Sequence, residues 1–126
     1  MAVEHATSVQ VRWGDVDPAG IVFYPRFFEW YDLGCEALFA SLGLAWPDAF
    51  PRYDVVGVPI VESSSRFVSP ARYGDVLTIR SRVAWVRAKT FRVEHEIAVG
   101  ARLRARPIPE DVARLLRGSD ARAGIG

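Results

Sequence analysis

The sequence predicts an α+β fold, one long amphipathic helix laid against an antiparallel sheet, and three observations carry that prediction. Residues 25–42 repeat apolar side chains at three- and four-residue steps, the period of one helix face. Residues 77–85 and 91–99 alternate apolar and polar side chains in two segments joined almost directly, the period of paired strands. The chain has 126 residues, half of them hydrophobic and 12% aromatic, which is enough to fill one core and too much apolar area for a disordered chain. A single domain is expected over residues 1–126, with Pro107–Gly126 as a C-terminal helix and tail.

Taken in order, Val9, Val11 and Trp13 alternate with Gln10 and Arg12, which predicts a half-buried strand. Gly14-Asp15-Val16-Asp17-Pro18-Ala19-Gly20 is a loop by composition, and Ile21–Tyr24 is a short apolar run. Pro25 then opens the helix, where its missing N–H would be unpaired anyway. Phe27, Tyr31, Gly34, Leu38 and Leu42 form the stripe, widened by Phe28, Cys35 and Phe39, while Arg26, Glu29 and Glu36 fall on the other side. Gly43 is a natural C-terminal stop, because glycine adopts a left-handed backbone without Cβ strain. The eighteen positions 25–42 span roughly 27 Å, enough to cross a small sheet.

Ala45–Asp54, with Pro47 and Pro51, reads as a loop with room for one helical turn. Val55–Val68 reads as extended, with Pro59 marking an edge or a bulge, and Pro70–Gly74 turns the chain. Leu77, Ile79, Val83 and Trp85 predict a long strand, and Phe91, Val93, His95, Ile97 and Val99 another. The short turn near Ala88 makes these two antiparallel. Ala101, Leu103 and Ala105 alternate with three arginines, which allows a short strand carrying little core before Pro107-Ile108-Pro109 ends it. Glu110–Arg117, acidic at its start and followed by Gly118, predicts a short helix.

Composition excludes several function classes. Sixteen basic residues, fifteen of them arginine, balance fifteen acidic ones, so no global field gathers nucleic acid or anionic membrane. One cysteine forbids an intrachain disulfide, and two distant histidines do not make a zinc site of the usual kind. The start lacks the basic and apolar regions of a secretory leader, and no 18-residue apolar run follows. The expectation is a cytoplasmic protein in a reducing compartment, with neither nucleic-acid nor membrane partners.

The chemistry concentrates between Gly14 and Asp32. An acid just before a helix is commonly a cap. Asp17, however, lies eight residues before Pro25, too far to cap the long helix without a fold-back, and Pro18-Ala19-Gly20 would aim its side chain rigidly. Asp32 lies at the boundary of the apolar stripe, where an acid is either solvated or aimed at a polar ligand. Arg87 and Lys89 sit in a turn, as a solvated pair or as phosphate contacts. His95 points inward with Phe91 and Val93, as a satisfied core histidine, and Cys35 behaves as a small hydrophobe.

The run from Gly14 to Pro25 resembles the 4-hydroxybenzoyl-CoA thioesterase family of hotdog-fold enzymes. The similarity continues through Trp30 and Asp32, Val58-Pro59-Ile60-Val61, Tyr73–Ile79 and Lys89-Thr90-Phe91, covering most of residues 9–99. Tyr24-Pro25, where short-chain acyl-CoA thioesterases carry Tyr-His, places it nearer the aroyl-CoA branch. The resemblance implies a hotdog fold, one helix wrapped by a five-stranded antiparallel sheet, assembled as a homodimer or homotetramer. It implies hydrolysis of an acyl-CoA, aromatic or short, with no metal and no cofactor beyond the CoA of the substrate. It assigns Asp17 as nucleophile or general base, and the Tyr24 backbone N–H as the group that polarises the carbonyl. Asp32, Gly20 and Ile60 would meet the acyl group, and Arg87 and Lys89 the CoA phosphates.

The chemistry fits those residue types. A thioester carbonyl is already electrophilic, so it needs an oxygen nucleophile and a donor for the developing oxyanion, which a carboxylate and a helix-terminal N–H can supply. The alternative is an acyl-CoA-binding hotdog domain without turnover. A hotdog dehydratase is disfavoured, since no loop histidine is placed to act as base. One departure stands out. The family follows the strand matching Phe91–Val99 with another full strand, and about twenty residues of expected chain are missing here. Three explanations are open: Ala101–Arg106 is a shortened substitute, the sheet has a gap, or the natural protein has residues this chain lacks.

Overall fold

The computed structural model describes residues 3–99 and 109–118. Its sheet has three antiparallel strands in the order β1-β2-β3, with β1 at Glu4–Gln10, β2 at Val76–Val86 and β3 at Phe91–Ala98. Gln10 pairs with Val76 and Glu4 with Arg82, and Ile79 and Ser81 of β2 face Ile97 and His95 of β3. Ala84 is an extra residue between the Val83–Val93 and Trp85–Arg92 pairs, a bulge in the β2–β3 ladder. The hairpin closes with the Arg87 N–H on the Thr90 carbonyl at 2.8 Å, where the sequence places the turn.

Helix α1, Pro25–Ser41, lies across this sheet and buries Trp30, Gly34 and Leu38. It ends as the sequence predicts. Gly43 at φ +77° lets its own N–H reach Ala40 O at 3.0 Å and the Leu44 N–H reach Phe39 O at 2.9 Å, pairing two carbonyls left over at the helix end. Leu42, placed in the apolar stripe by periodicity, is instead the exposed C-cap residue. Trp30 takes a place in the core that the stripe had not given it, packed with Val11, Val22, Ala71, Leu77 and Ile79.

Gly34 sets how closely helix and sheet approach. A Cβ there would stand 2.5 Å from Ser81 Oγ, 2.8 Å from Ile79 Cγ2 and 3.2 Å from His95 Nδ1. Only a residue without a side chain lets α1 rest directly on β2 and β3. Beneath it Ser81, almost fully buried, is paired with His95, so its hydroxyl is not left unsatisfied in the interior.

Three expectations are corrected. The first strand runs Glu4–Gln10 and does not reach Trp13, because the Asp15 carboxylate accepts the Arg12 N–H at 2.8 Å and winds Trp13–Asp15 into one turn of 3-10 helix. Residues 45–54 are not a loop: Trp46–Arg52 form helix α2, with Pro47 in the first turn, where a missing N–H costs nothing, and an Arg52–Asp48 ion pair at 2.7 Å along one side. Val55–Val68 joins no ladder. It runs as an exposed strap, and with Pro59 lacking a donor and no described strand paired to it, extended backbone has nothing to bond.

The strap is held by side chains. The Phe67 ring meets Phe27 at 5.4 Å, Tyr24 at 5.9 Å and Phe28 at 6.3 Å, and the Ser65 hydroxyl bonds that of Tyr31. Helix α3 spans Glu110–Arg117, as the sequence predicts, and Gly118 follows it at φ +71°. The expected short strand at Ala101–Arg106 lies outside the described residues. Among the described residues no helix is long and apolar enough to cross a membrane.

Candidate active site

Between the end of β1 and the start of α1 the chain makes a narrow hairpin whose sequence explains its shape. Phe23 N–H donates to Asp15 O at 2.8 Å and Asp17 N–H to Ile21 O at 2.9 Å, with Val16 facing Val22. The tip is Asp17-Pro18-Ala19-Gly20, with Gly20 N–H on Asp17 O at 2.8 Å. Asp, Pro and Gly at the first, second and fourth places suit such a turn, and Gly20 at φ +81° supplies the left-handed residue that closes a three-residue hairpin loop.

That turn fixes the Asp17 carboxylate. Oδ1 accepts the Ala19 N–H at 2.8 Å, so the side chain is a cap, but of its own turn and not of α1. The other oxygen takes no partner among the described residues. Asp17 lines a cleft of about 360 Å³ together with Trp13, Val16, Pro18, Gly20 and Tyr73. Asp15, two residues earlier, is occupied structurally. It receives the Arg12 N–H and stands 3.7 Å from Arg26 Nε, tying the hairpin to the first turn of α1.

Tyr24 is the N-cap residue of α1, and its ring is exposed. No described carbonyl or side chain accepts its N–H, which leaves a donor at the positive end of a helix of about 26 Å. The hairpin places Tyr24 immediately after the Asp15–Phe23 pair, on the strand opposite Asp17.

The remaining candidates are not gathered at this cleft. Asp32 is exposed on α1, two turns beyond Tyr24, and its charge together with burial acts on Cys35. Ile60 is exposed on the strap. Arg87 and Lys89 occupy the β2–β3 turn, where the Arg87 guanidinium lies 4.0 Å from the centre of the Trp85 ring. The Asp17 hairpin is pinned near the other end of β2, since Val11 N–H bonds Asp75 O at 2.8 Å, so about 33 Å of strand separates the two ends.

Sequence reasoning did not assign Trp13 and Tyr73 to the site. Their signal was available: each is a large aromatic residue next to a glycine turn, where a core ring has no reason to be. His95 is, as expected, a core histidine, half-buried, bonded to Ser81 Oγ at 2.7 Å and stacked on Tyr31 with ring centres 5.2 Å apart. Its pKa is held below the ordinary value by burial. A second cavity, of about 350 Å³, lies among Phe39, Leu44, Ala49, Phe50, Tyr53, Val55 and Val58. It offers no carboxylate, imidazole or cation for thioester chemistry. Among the described residues no three His, Cys, Asp or Glu side chains cluster as metal ligands.

Comparison with known proteins shows the family and the fold. The family model of the thioesterase-like superfamily matches residues 11–115. The chain is 37% identical over 90 residues to 4-hydroxybenzoyl-CoA thioesterase of Pseudomonas sp. (strain CBS-3), covering 71% of this chain and 64% of that protein. It thus spans less than two thirds of that relative's length in the sequence match. The solved structure of the Pseudomonas enzyme superposes with a TM-score of 0.71 and 31% identity over 90% of this chain and 99% of that one. Gentisyl-coenzyme A thioesterase BH1999 gives a TM-score of 0.71 and 31% identity over 79% of each chain.

A 1,4-dihydroxy-2-naphthoyl-CoA hydrolase of Prochlorococcus marinus (strain MIT 9313) is 29% identical over 138 aligned positions, covering 92% of this chain and 89% of that protein. Ninety-two per cent of 126 residues is about 116, so about twenty of those positions have no counterpart here. The fold is the hotdog fold of these neighbours, with a sheet that does not close among the described residues.

Proposed function

Because the chain belongs to the thioesterase-like superfamily, we propose that it hydrolyses an acyl-CoA thioester whose acyl group is compact and aromatic, with Asp17 as the attacking or water-activating carboxylate. One observation carries this: Asp17 is locked by its own turn with one oxygen unpartnered, in a cleft walled by two aromatic rings. The relatives named for 4-hydroxybenzoyl, gentisyl and dihydroxynaphthoyl thioesters support the aromatic class.

In the nucleophilic route the free Asp17 oxygen bonds to the thioester carbon and the C–S bond breaks. CoA leaves as thiolate and takes a proton from water, and a second water hydrolyses the resulting anhydride, restoring the carboxylate. In the general-base route Asp17 takes the proton of the attacking water and later returns it to the departing sulfur. Either way negative charge develops on the carbonyl oxygen, and the Tyr24 N–H is the donor offered to it, a contribution of ~10²–10³ in rate. Gly20 keeps the cleft wall low beside the carboxylate, and Asp32 and Ile60 act on the acyl group only if the assembled protein brings them to it.

The positions of Arg87 and Lys89 favour self-association. They lie the length of β2 from the cleft, so the cations that meet the phosphates of a CoA bound at Asp17 come from a second copy, in a homodimer or homotetramer. A cytoplasmic setting suits a protein with CoA esters as substrates and no required disulfide.

The test is thiol release from benzoyl- and 4-hydroxybenzoyl-CoA by wild type and Asp17→Asn. The asparagine can still accept the Ala19 N–H, so the turn is preserved while the reactive carboxylate is removed. A rate loss of about 10²–10⁴ is expected, and equal rates would reject Asp17. CoA-ester binding with no thiol release by either protein would favour a binding domain, the reading that the open sheet supports.

A further inference from the structure

We propose that Trp13 and Tyr73 form an aromatic clamp on the acyl group, which makes the protein prefer planar aromatic acyl-CoA esters to saturated ones of the same size. This rests on the Asp17 cleft being the acyl site.

The two rings line that cleft together with the carboxylate, their centres 5.7 Å apart and their planes at 85°. Trp13 is 77% exposed and Tyr73 61% exposed. Neither ring fills the core, and among the described residues Trp13 meets no aromatic ring but Tyr73. Apolar rings left in water beside a polar reacting group are the usual mark of a ligand surface.

The backbone under each ring is fixed. Trp13 sits in the 3-10 turn closed by Asp15 on the Arg12 N–H. Tyr73 sits in a turn closed by the Arg72 N–H on the Asp75 carboxylate at 2.9 Å and by the Asp75 N–H on Arg72 O at 3.0 Å. The two turns are bolted together through Val11, whose carbonyl accepts the Gly74 N–H at 3.0 Å and whose N–H donates to Asp75 O at 2.8 Å. The rings, in edge-to-face contact with each other, are therefore presented from two turns whose backbones are fixed, as positioning a reacting group demands.

Ring geometry selects the ligand. An L-shaped pair offers one face and one edge, and a third aromatic ring gains from both through its own quadrupole, whereas a saturated ring of equal volume gains only apolar burial. At about 360 Å³ the cleft is at the small end for ligand sites, sized for a compact acyl group and not for the whole thioester.

The experiment compares kcat/KM for benzoyl-CoA and cyclohexanecarbonyl-CoA in wild type, Trp13→Ala, Tyr73→Ala, Trp13→Phe and Tyr73→Phe. Binding of the non-hydrolysable thioether S-benzyl-CoA is measured in parallel by calorimetry. Wild type should favour the aromatic ester, and each alanine variant should lower that ratio about tenfold, mainly through KM. The phenylalanine variants should keep it, and S-benzyl-CoA binding should weaken in step with the alanine changes. No preference in wild type, or an unchanged ratio and unchanged S-benzyl-CoA affinity in both alanine variants, overturns the clamp. Failure of the Asp17 assignment is read separately. Asp17→Asn would then match wild type in turnover, while S-benzyl-CoA binding to the Trp13 and Tyr73 variants still reports on the clamp.

Discussion

Ser81 Oγ lies 2.7 Å from His95 Nδ1, across a cross-strand pair at the centre of the sheet and directly beneath Gly34. Burial disfavours the imidazolium, so the folded protein holds His95 neutral at pH values where the unfolded chain would begin to protonate it. The folded-state pKa lies below the unfolded value of 6.5. The associated stability is therefore present above that value and is lost as pH falls through the folded pKa. Urea midpoints should fall between pH 7.5 and pH 5 in wild type, and the fall should be shallower in His95→Gln. A parallel fall in both proteins would place the titration elsewhere.

Gly34→Ala should be one of the costliest single-methyl changes in the chain. The added Cβ meets the Ser81 hydroxyl, an Ile79 methyl and the His95 ring at once, and two of the three are held by each other. A loss of about 1–3 kcal/mol is expected from denaturant unfolding. The same substitution at Gly14, where a Cβ would meet nothing within 4 Å, is the control.

Cys35 should be a poor nucleophile. Its thiol pKa is pushed up to about 11, by burial first and by the charge of Asp32 second. Alkylation by iodoacetamide at pH 8 should be slow in the native protein and fast in denaturant. Asp32→Asn should speed the native reaction measurably and leave the denatured rate unchanged.

The strap at 55–68 should depend on Phe67. That ring touches Tyr24, Phe27 and Phe28, while most other apolar side chains of the strap face water. Phe67→Ala should raise the rate of limited proteolysis within the strap several-fold, because cleavage follows the population of the opened segment. Melting of the sheet, followed by circular dichroism, should move much less. A cleavage rate equal to that of wild type would mean that backbone contacts hold the segment.

The elements read correctly from sequence are those whose signal is local. Helix α1 carries its period, its proline start and its glycine stop within itself, and β2 and β3 carry alternation across one short turn. The errors arise where the outcome depends on distant chain. Val56, Val58 and Ile60 have strand character, but character without a neighbour makes no ladder. Trp13 continues an alternation that the Asp15 carboxylate cuts short, and Pro47 and Pro51 look like breakers although Pro47 falls in the first turn of α2, where a proline costs a helix nothing, and Pro51 is accommodated one residue before its end. The site divides in the same way. Asp17 and Gly20 stand out in one heptapeptide, whereas Tyr73 reaches the cleft only because Val11 bonds both Gly74 and Asp75, a register that no single segment displays.

The hairpin from Asp15 to Phe23 closes on itself through Asp17 with Ile21, Phe23 with Asp15 and Ala19 with the carboxylate, and a second set of contacts, at Ile21 and Val22, joins it to Ala71 and Arg72. Its turn is thus set locally, while its placement is set by the Val22 N–H on Ala71 O at 2.8 Å and by the Asp15–Arg26 pair. Changes at the distant border of the sheet, beyond β3, can erode assembly and lifetime while leaving this nine-residue unit intact, and a graft onto a sturdier relative should carry its geometry only together with the partners of Val22 and Asp15.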